Sequence, residues 1–262
     1  MLNVTSAQLD LWLGLFIFPL ARILGLLSMA PVFNNAAMPR RTRLMLGLAI
    51  ALAVGPALPP LPSIPIGSWQ GIAVLAQQIL IGLVMGFAVR LVFAAIDIAG
   101  ELFGLQMGLS FAVFYDPNGS GQTPVITEFV ALVATLLYLA MNGHLLMLSA
   151  LAESFTLLPV SAQPIASKGL WALLASAAGV FSSGLLLSLP LVAALLIANI
   201  ALGVLSRIAP TLNLFAVGFP VTLTAGFIVL DLSLPFLGTA IGRLYDQGFA
   251  NLGVILRASG AG

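Results

Sequence analysis

The sequence predicts an all-α integral membrane protein of kinked helices and helical hairpins. Three observations carry the prediction. Hydrophobic residues make up 61% of the 262 positions and charged ones only 6%, where a soluble domain carries about 25% charged residues. Several apolar runs reach the roughly 18 residues that mark a bilayer span, and about six or seven hydrophobic segments can be counted. Prolines such as Pro19 and Pro190 fall inside these runs, where they bend helices. So many segments exceed a single anchor, and residues 1–262 are read as one polytopic membrane domain. Its landmarks are a central glycine-faced helix and loop at 99–124 and a tail at 238–262.

Composition also excludes. There are no cysteines, which removes disulfides, thiolate metal sites and cysteine nucleophiles together. A net charge of +1 argues against a nucleic-acid partner, which requires a basic patch. Residues 1–10 lack a basic segment, and no small-residue cleavage site follows the first apolar run. Residues 11–33 are therefore expected to be a retained helix rather than a signal peptide.

In chain order, the first apolar element covers about 9–33 and contains Pro19 and Arg22. A turn at 34–39 leads to Arg40, Arg41 and Arg43, the only dense basic cluster, of the kind that stays cytoplasmic. The second element is 44–58. Pro56, Pro59, Pro60, Pro62 and Pro65 then form a stiff, uncharged link. The third element, about 72–99, carries Gly82, Gly86 and Arg90. A further helix is expected over 125–152, with Glu128 in its first turn and Asn142, Gly143 and His144 late in it. A loop at 158–168 follows.

Residues 169–206 then run without a charge for 38 positions. As one helix they would measure ~57 Å against a hydrocarbon core of ~30 Å. Either they fold back or they form one helix kinked at Pro190, and the kink is favoured because no polar turn divides them. The last apolar helix is expected over 214–237 with Asp231 inside it, before the tail with Arg243, Asp246 and Arg257. Topology stays open. If 100–115 does not cross, Arg207 lies on the side of the basic cluster; if it crosses, Lys168, Arg243 and Arg257 do. The positive-inside rule favours the second arrangement.

The central stretch breaks this pattern. Gly100, Gly104 and Gly108 recur every fourth residue, a bare strip that lets a neighbouring helix come to backbone contact. Each glycine costs about 1 kcal/mol against alanine in a helix, so a compensating contact is expected. Gly82 and Gly86 form a similar pair. The helix then gives way to turn formers: Asp116, Pro117, Asn118, Gly119, Ser120, Gly121 and Gln122.

Five ionisable residues fall within or beside apolar segments and are candidate buried charges: Arg22, Arg90, Asp97, Glu101 and Asp231. Ionisable groups inside membrane segments suggest an ion or proton pathway. For Arg90, Asp97 and Glu101, an interfacial cluster with Arg90 snorkelling to headgroups is favoured. Arg22 and Asp231 suit a structural pair, with each other or with a partner subunit. His144 is the only histidine, and no further ligands suggest a metal site around it. Residues 118–121 share a short glycine–serine–glycine pattern with intramembrane proteases, for which His144 would have to act as base. A match this short carries little weight. No phosphate-cradling loop ending in lysine occurs, which argues against ATP hydrolysis.

Ordered features across the chain resemble a known family. They include Phe18 to Arg22, Ala30 to Phe33, Met38 to Arg43, Ile81 to Phe87, Gly104 to Gly108, and Tyr115, Asp116 and Pro117. They continue with Asn142 to His144, Ser154 and Phe155 before Leu158 and Pro159, Arg207 to Pro210, Asn213 to Phe215, and Gly218 to Pro220. Together they resemble the FliR family of flagellar biosynthetic proteins and its injectisome counterparts in type III secretion. Gln77 and Gln78 depart from it where glutamate is expected, as does Thr211 where glutamine is.

The resemblance implies a non-enzymatic, cofactor-free subunit of the export gate in the bacterial inner membrane, at the flagellar basal body. It implies a hetero-oligomeric pore with FliP- and FliQ-like subunits, an FlhB-like switch protein docked against it, and unfolded export substrates in transit. It also implies that the loop after the glycine-faced helix plugs the pore. That loop comprises Ser110, Phe111, Phe114 and Tyr115 with the turn formers 116–122. A small-solute or ion transporter using Arg22, Asp231 and the Arg90, Asp97 and Glu101 group is the alternative.

Overall fold

The protein is described by a computed structural model over residues 6–35, 38–59, 62, 64–109, 125–209 and 214–260. Among these residues the α-helices are α1 (Ser6–Met29), α2 (Arg40–Val54), α3 (Trp69–Gln106), α4 (Val125–Ala140), α5 (Gly143–Leu157), α6 (Ser167–Ile208) and α7 (Leu214–Gly260). A 3-10 turn, Gly55–Ala57, follows α2. The all-α membrane fold expected from composition is the one observed. Helices α3, α6 and α7 are each long and apolar enough to cross a membrane. The pair α4 and α5, bent by 63°, makes a fourth candidate span, while the apolar part of α1, Leu13–Met29, is shorter.

Local chemistry sets the ends of these helices. Ser68 precedes α3, and its Oγ accepts a hydrogen bond from the Gly71 N–H at 3.0 Å, meeting one of the donors a helix start leaves open. Helix α5 stops at Leu157, just before Leu158 and Pro159, because a residue ahead of proline is pushed out of helical geometry. At the far end of α3, Gly108 adopts φ 80°. Its N–H donates to the Leu105 carbonyl at 3.1 Å, while the Leu109 N–H donates to the Gly104 carbonyl at 3.0 Å. This is a Schellman closure, which glycine enters without steric penalty.

Three elements differ from the sequence expectation. Gly108 does not continue the helical strip begun by Gly100 and Gly104; it terminates α3 instead. The single helix expected over 125–152 is broken at Met141 and Asn142. There Asn142 takes φ 57°, the one non-glycine residue with positive φ among those described. Asparagine tolerates that region, and one residue in it suffices to redirect an apolar run. The expected tail after Gly238 is helical through Gly260. Buried Ile241, Tyr245, Leu252 and Leu256 recur there at four- and seven-residue spacings, which extends an apolar face past the last uninterrupted hydrophobic run. Residues 169–206 lie within one helix that contains Pro190 and does not fold back.

The chain divides into two compact units. The first comprises Met1–Leu91, Asn142–Ala177 and Gln247–Gly262. In it α1 and α3 meet backbone to backbone. A methyl group at Gly82 would collide with the Arg22 carbonyl oxygen, one at Gly86 would lie 2.7 Å from the Leu26 carbonyl oxygen, and one at Gly25 2.6 Å from that of Ile79. Phe18, Leu26, Met85 and Met147 of the same unit are fully buried.

The second unit comprises Val92–Met141 and Ala178–Asp246. Phe93, Tyr138 and Tyr245 form a triangle of rings with centroids 5.4 to 5.7 Å apart. The Tyr245 hydroxyl donates to the Ala134 carbonyl at 2.7 Å. A methyl at Gly100 would come 2.8 Å from the Thr127 Cα, and one at Gly184 2.7 Å from the Ala95 carbonyl oxygen.

Two glycine substitutions with opposite signs test this packing. Gly82→Ala forces α1 and α3 apart and is expected to cost about 1–3 kcal/mol, as overpacking does. Gly179→Ala points into open space, so it gains helix propensity of about 1 kcal/mol. Thermal unfolding of the detergent-solubilised chain should fall for the first and rise for the second. Equal melting of the two variants would contradict the backbone contact.

Candidate functional site

Among the described residues, the most saturated polar centre is built around Arg22. It sits on α1 one turn from Phe18 and one turn from Leu26, and all three are fully buried. Its Nε donates to Gln78 Oε1 on α3 at 2.8 Å. One terminal nitrogen donates to the Ser154 carbonyl at 2.8 Å and to Ser154 Oγ at 3.0 Å. The other donates to the Leu158 carbonyl at 2.7 Å, and the guanidinium carbon lies 4.1 Å from the centre of the Phe155 ring.

These acceptors have a common physical meaning. The last carbonyls of a helix lack intrahelical donors, and the end they occupy carries partial negative charge. Leu158, just past the last turn of α5, supplies such a carbonyl, while the Ser154 carbonyl accepts the Leu158 N–H at 2.9 Å and takes Arg22 as a second donor. A single cation therefore closes α5 and ties it to α1 and α3. Only the planar fork of arginine reaches three separated acceptor groups; lysine offers all its donors from one point. Every hydrogen-bond partner is neutral, and Gln78 Nε2 stays buried without a partner among the described residues. The neighbouring Gln77 donates to the Gln163 carbonyl at 2.8 Å.

The other candidate charges are not gathered with Arg22. Arg90, Glu101 and Asp231 are exposed on the surface of the chain, and Asp97 is half-buried. Of the five expected buried charges, only Arg22 is buried. The reason on α3 is phase: Arg90 and Glu101 occupy the face opposite Ala88, Phe93, Ile96 and Ala99, which are turned inward. His144 has a buried Nδ1 without a partner among the described residues, and no group of three or more potential metal ligands occurs among them. The loop residues Ser110, Phe111, Phe114, Tyr115, Asp116, Pro117, Asn118, Gly119, Ser120, Gly121 and Gln122 lie outside the described residues.

Sequence reasoning gave Gly25 no role, and it named Ser154 and Leu158 only among the features of the resemblance, not as partners of Arg22. Gly25 shows only as a single small residue in a leucine-rich run. The carbonyls of Ser154 and Leu158 have no sequence signature beyond the proline that ends α5. It also missed how much apolar surface the chain leaves uncovered. Within α6 only 22% of the most apolar 18-residue window is buried, and within α7 only 17%. Phe181 and Ile197 on α6 and Phe236 on α7 are 74%, 70% and 78% exposed.

Comparison with known proteins adds the following. A family model described as bacterial export proteins, family 1, matches residues 13–248. A flagellar biosynthetic protein FliR of Pectobacterium carotovorum subsp. carotovorum is 46% identical over 256 residues, which is 98% of each chain. The FliR of Escherichia coli strain K12 is 41% identical over the same span and share. That of Aquifex aeolicus strain VF5 is 32% identical over 248 residues, 94% of each chain.

Two substitutions test the Arg22 centre. Arg22→Ala strands Gln78 Oε1 and the Leu158 carbonyl in an apolar interior, a loss of about 1–3 kcal/mol for each buried acceptor left unmet. Gln78→Glu sets a carboxylate against the guanidinium and removes the unmet amide donor, so the melting temperature should rise at neutral pH. If Arg22→Ala melts with the parent chain, Arg22 does not hold these helices together.

Proposed function

The chain belongs to the bacterial export proteins, family 1, the family of the flagellar FliR proteins, and on that premise we propose that it lines and seals the flagellar export channel. It is an integral membrane component of the flagellar export apparatus and works with other components of that apparatus. In the proposed reading it sits in the bacterial inner membrane at the basal body and joins FliP- and FliQ-like subunits in a hetero-oligomeric pore. An FlhB-like switch protein docks on the assembly, unfolded flagellar proteins pass through it, and the chain itself performs no catalysis.

One observation carries the reading: the apolar faces of α6 and α7 are left largely uncovered by the chain itself. Large apolar faces next to rigid, glycine-packed helices suit a subunit that completes its packing with neighbours. The sealing role is assigned to residues 110–122. Glycine-rich turns make a segment that is cheap to displace, and Phe111, Phe114 and Tyr115 supply bulk to fill a lumen. The solute-carrier alternative gains no support, because Arg90, Glu101 and Asp231 are exposed and the hydrogen bonds of Arg22 run to neutral groups.

Two measurements test this. Deleting residues 116–122 should raise ion leak across the inner membrane of cells assembling the apparatus, while Ser120→Ala should leave export unchanged. Unaltered permeability in the deletion would sink the plug. Loss of export in Ser120→Ala would favour a protease instead.

A further inference from the structure

Asp231 sits within the candidate span Gly218–Gly260 of α7, yet its side chain is exposed on the chain. Among the described residues its carboxylate has no hydrogen bond or ion pair. Pro235 lies four residues on, inside the same helix, and has no N–H to give the Asp231 carbonyl. One residue thus carries an exposed carboxylate and a backbone oxygen that lacks the i+4 donor of a regular helix. The nearby hydroxyls do not serve it. Ser233 Oγ donates to the Val229 carbonyl at 2.6 Å, and Thr239 Oγ1 to that of Pro235 at 3.2 Å.

Around this polar spot the surface is apolar: Phe227, Ile228, Leu232 and Phe236 are all exposed. Lipid tails cannot meet the acceptors, because they carry no donors and a carboxylate among them is costly. Water would meet them, but it is a poor match for four large apolar side chains on the same face. A protein helix bearing a cation satisfies both demands. Its guanidinium or ammonium supplies several donors to the carboxylate and carbonyl, and its apolar side chains cover the rim.

We propose that the face of α7 centred on Asp231 docks a membrane helix of another subunit that carries an arginine or lysine, with the carboxylate as anchor. The proposal rests on the reading that the chain assembles with other membrane subunits, and it adds the residue and the chemistry of one contact.

The test uses the full chain produced with its native apparatus and isolated through a tag on this subunit. Asp231→Arg should lower co-purified membrane subunits at least tenfold. Asp231→Asn, which keeps an acceptor, should lower them less. A photo-crosslinker at Leu232 should join α7 to a partner peptide containing arginine or lysine. The chain has no cysteines, so Ile228→Cys gives a single label site that leaves the carboxylate in place; it should resist an aqueous thiol reagent in the assembled complex and react in the isolated chain. Wild-type yields of partner subunits in Asp231→Arg, crosslinks to lipid alone, or full aqueous labelling in the complex would each overturn the proposal. If the unmodified chain itself purifies without partners, the assembly reading fails first, and the two failures are told apart in the same preparation.

Discussion

Scarcity of polar surface governs this molecule. With 6% of its residues charged, the chain cannot present water-compatible groups all round, so most polar atoms and apolar faces must be met by protein or lipid. Where the chain meets them itself, the solutions are specific. Arg22 closes the end of α5 and binds α1 and α3 in the same act. Gly25, Gly82 and Gly86 let two helix backbones touch, so that dispersion contacts replace the hydrophobic drive that lipid does not provide. The Schellman closure at Gly108 satisfies the carbonyls at the end of α3 just before the segment assigned to sealing.

The same constraint explains why part of the chain looks incomplete. The first unit has a dense core around the crossing of α1 and α3, and the second has its aromatic triangle. Much of α6 and α7 nevertheless lies uncovered. A protein working alone in lipid tolerates apolar exposure, but it has no use for an exposed aspartate beside a proline-freed carbonyl. Membership of a family of flagellar export proteins means that the chain works with other components of that apparatus. Glycine contacts inside each unit and open apolar faces on α6 and α7 occur in the same chain.

Much of this was legible in the residues. Composition and run length were enough for an all-α membrane fold, and the spacing of Gly82 and Gly86 marked positions where a helix partner comes close. The loop expected at 158–168 begins where α5 stops at Leu157, although the helix itself was expected to end at 152. Three things were hidden for physical reasons. Asn142 redirects the chain through one left-handed residue inside an apolar run, which leaves no gap in hydropathy. The end of α7 mixes charged and apolar residues, so its helix depends on buried Tyr245 and Leu252 rather than on a hydrophobic run. The partners of Arg22 are mostly backbone carbonyls, which every residue possesses and no sequence pattern distinguishes. Burial of charge was likewise unreadable, since Arg22 and Asp231 stand in similar apolar company in the sequence, yet the first is buried and the second exposed.

Lipid-soluble carbene footprinting, comparing the isolated chain with the assembled apparatus, tests most directly whether the open faces belong to neighbours. The account predicts that Phe181, Leu186, Ile197 and Ile200 on α6 are labelled in the isolated chain and largely protected after assembly. Equal labelling of those four residues in both states would mean that lipid, not protein, covers them, and would contradict it.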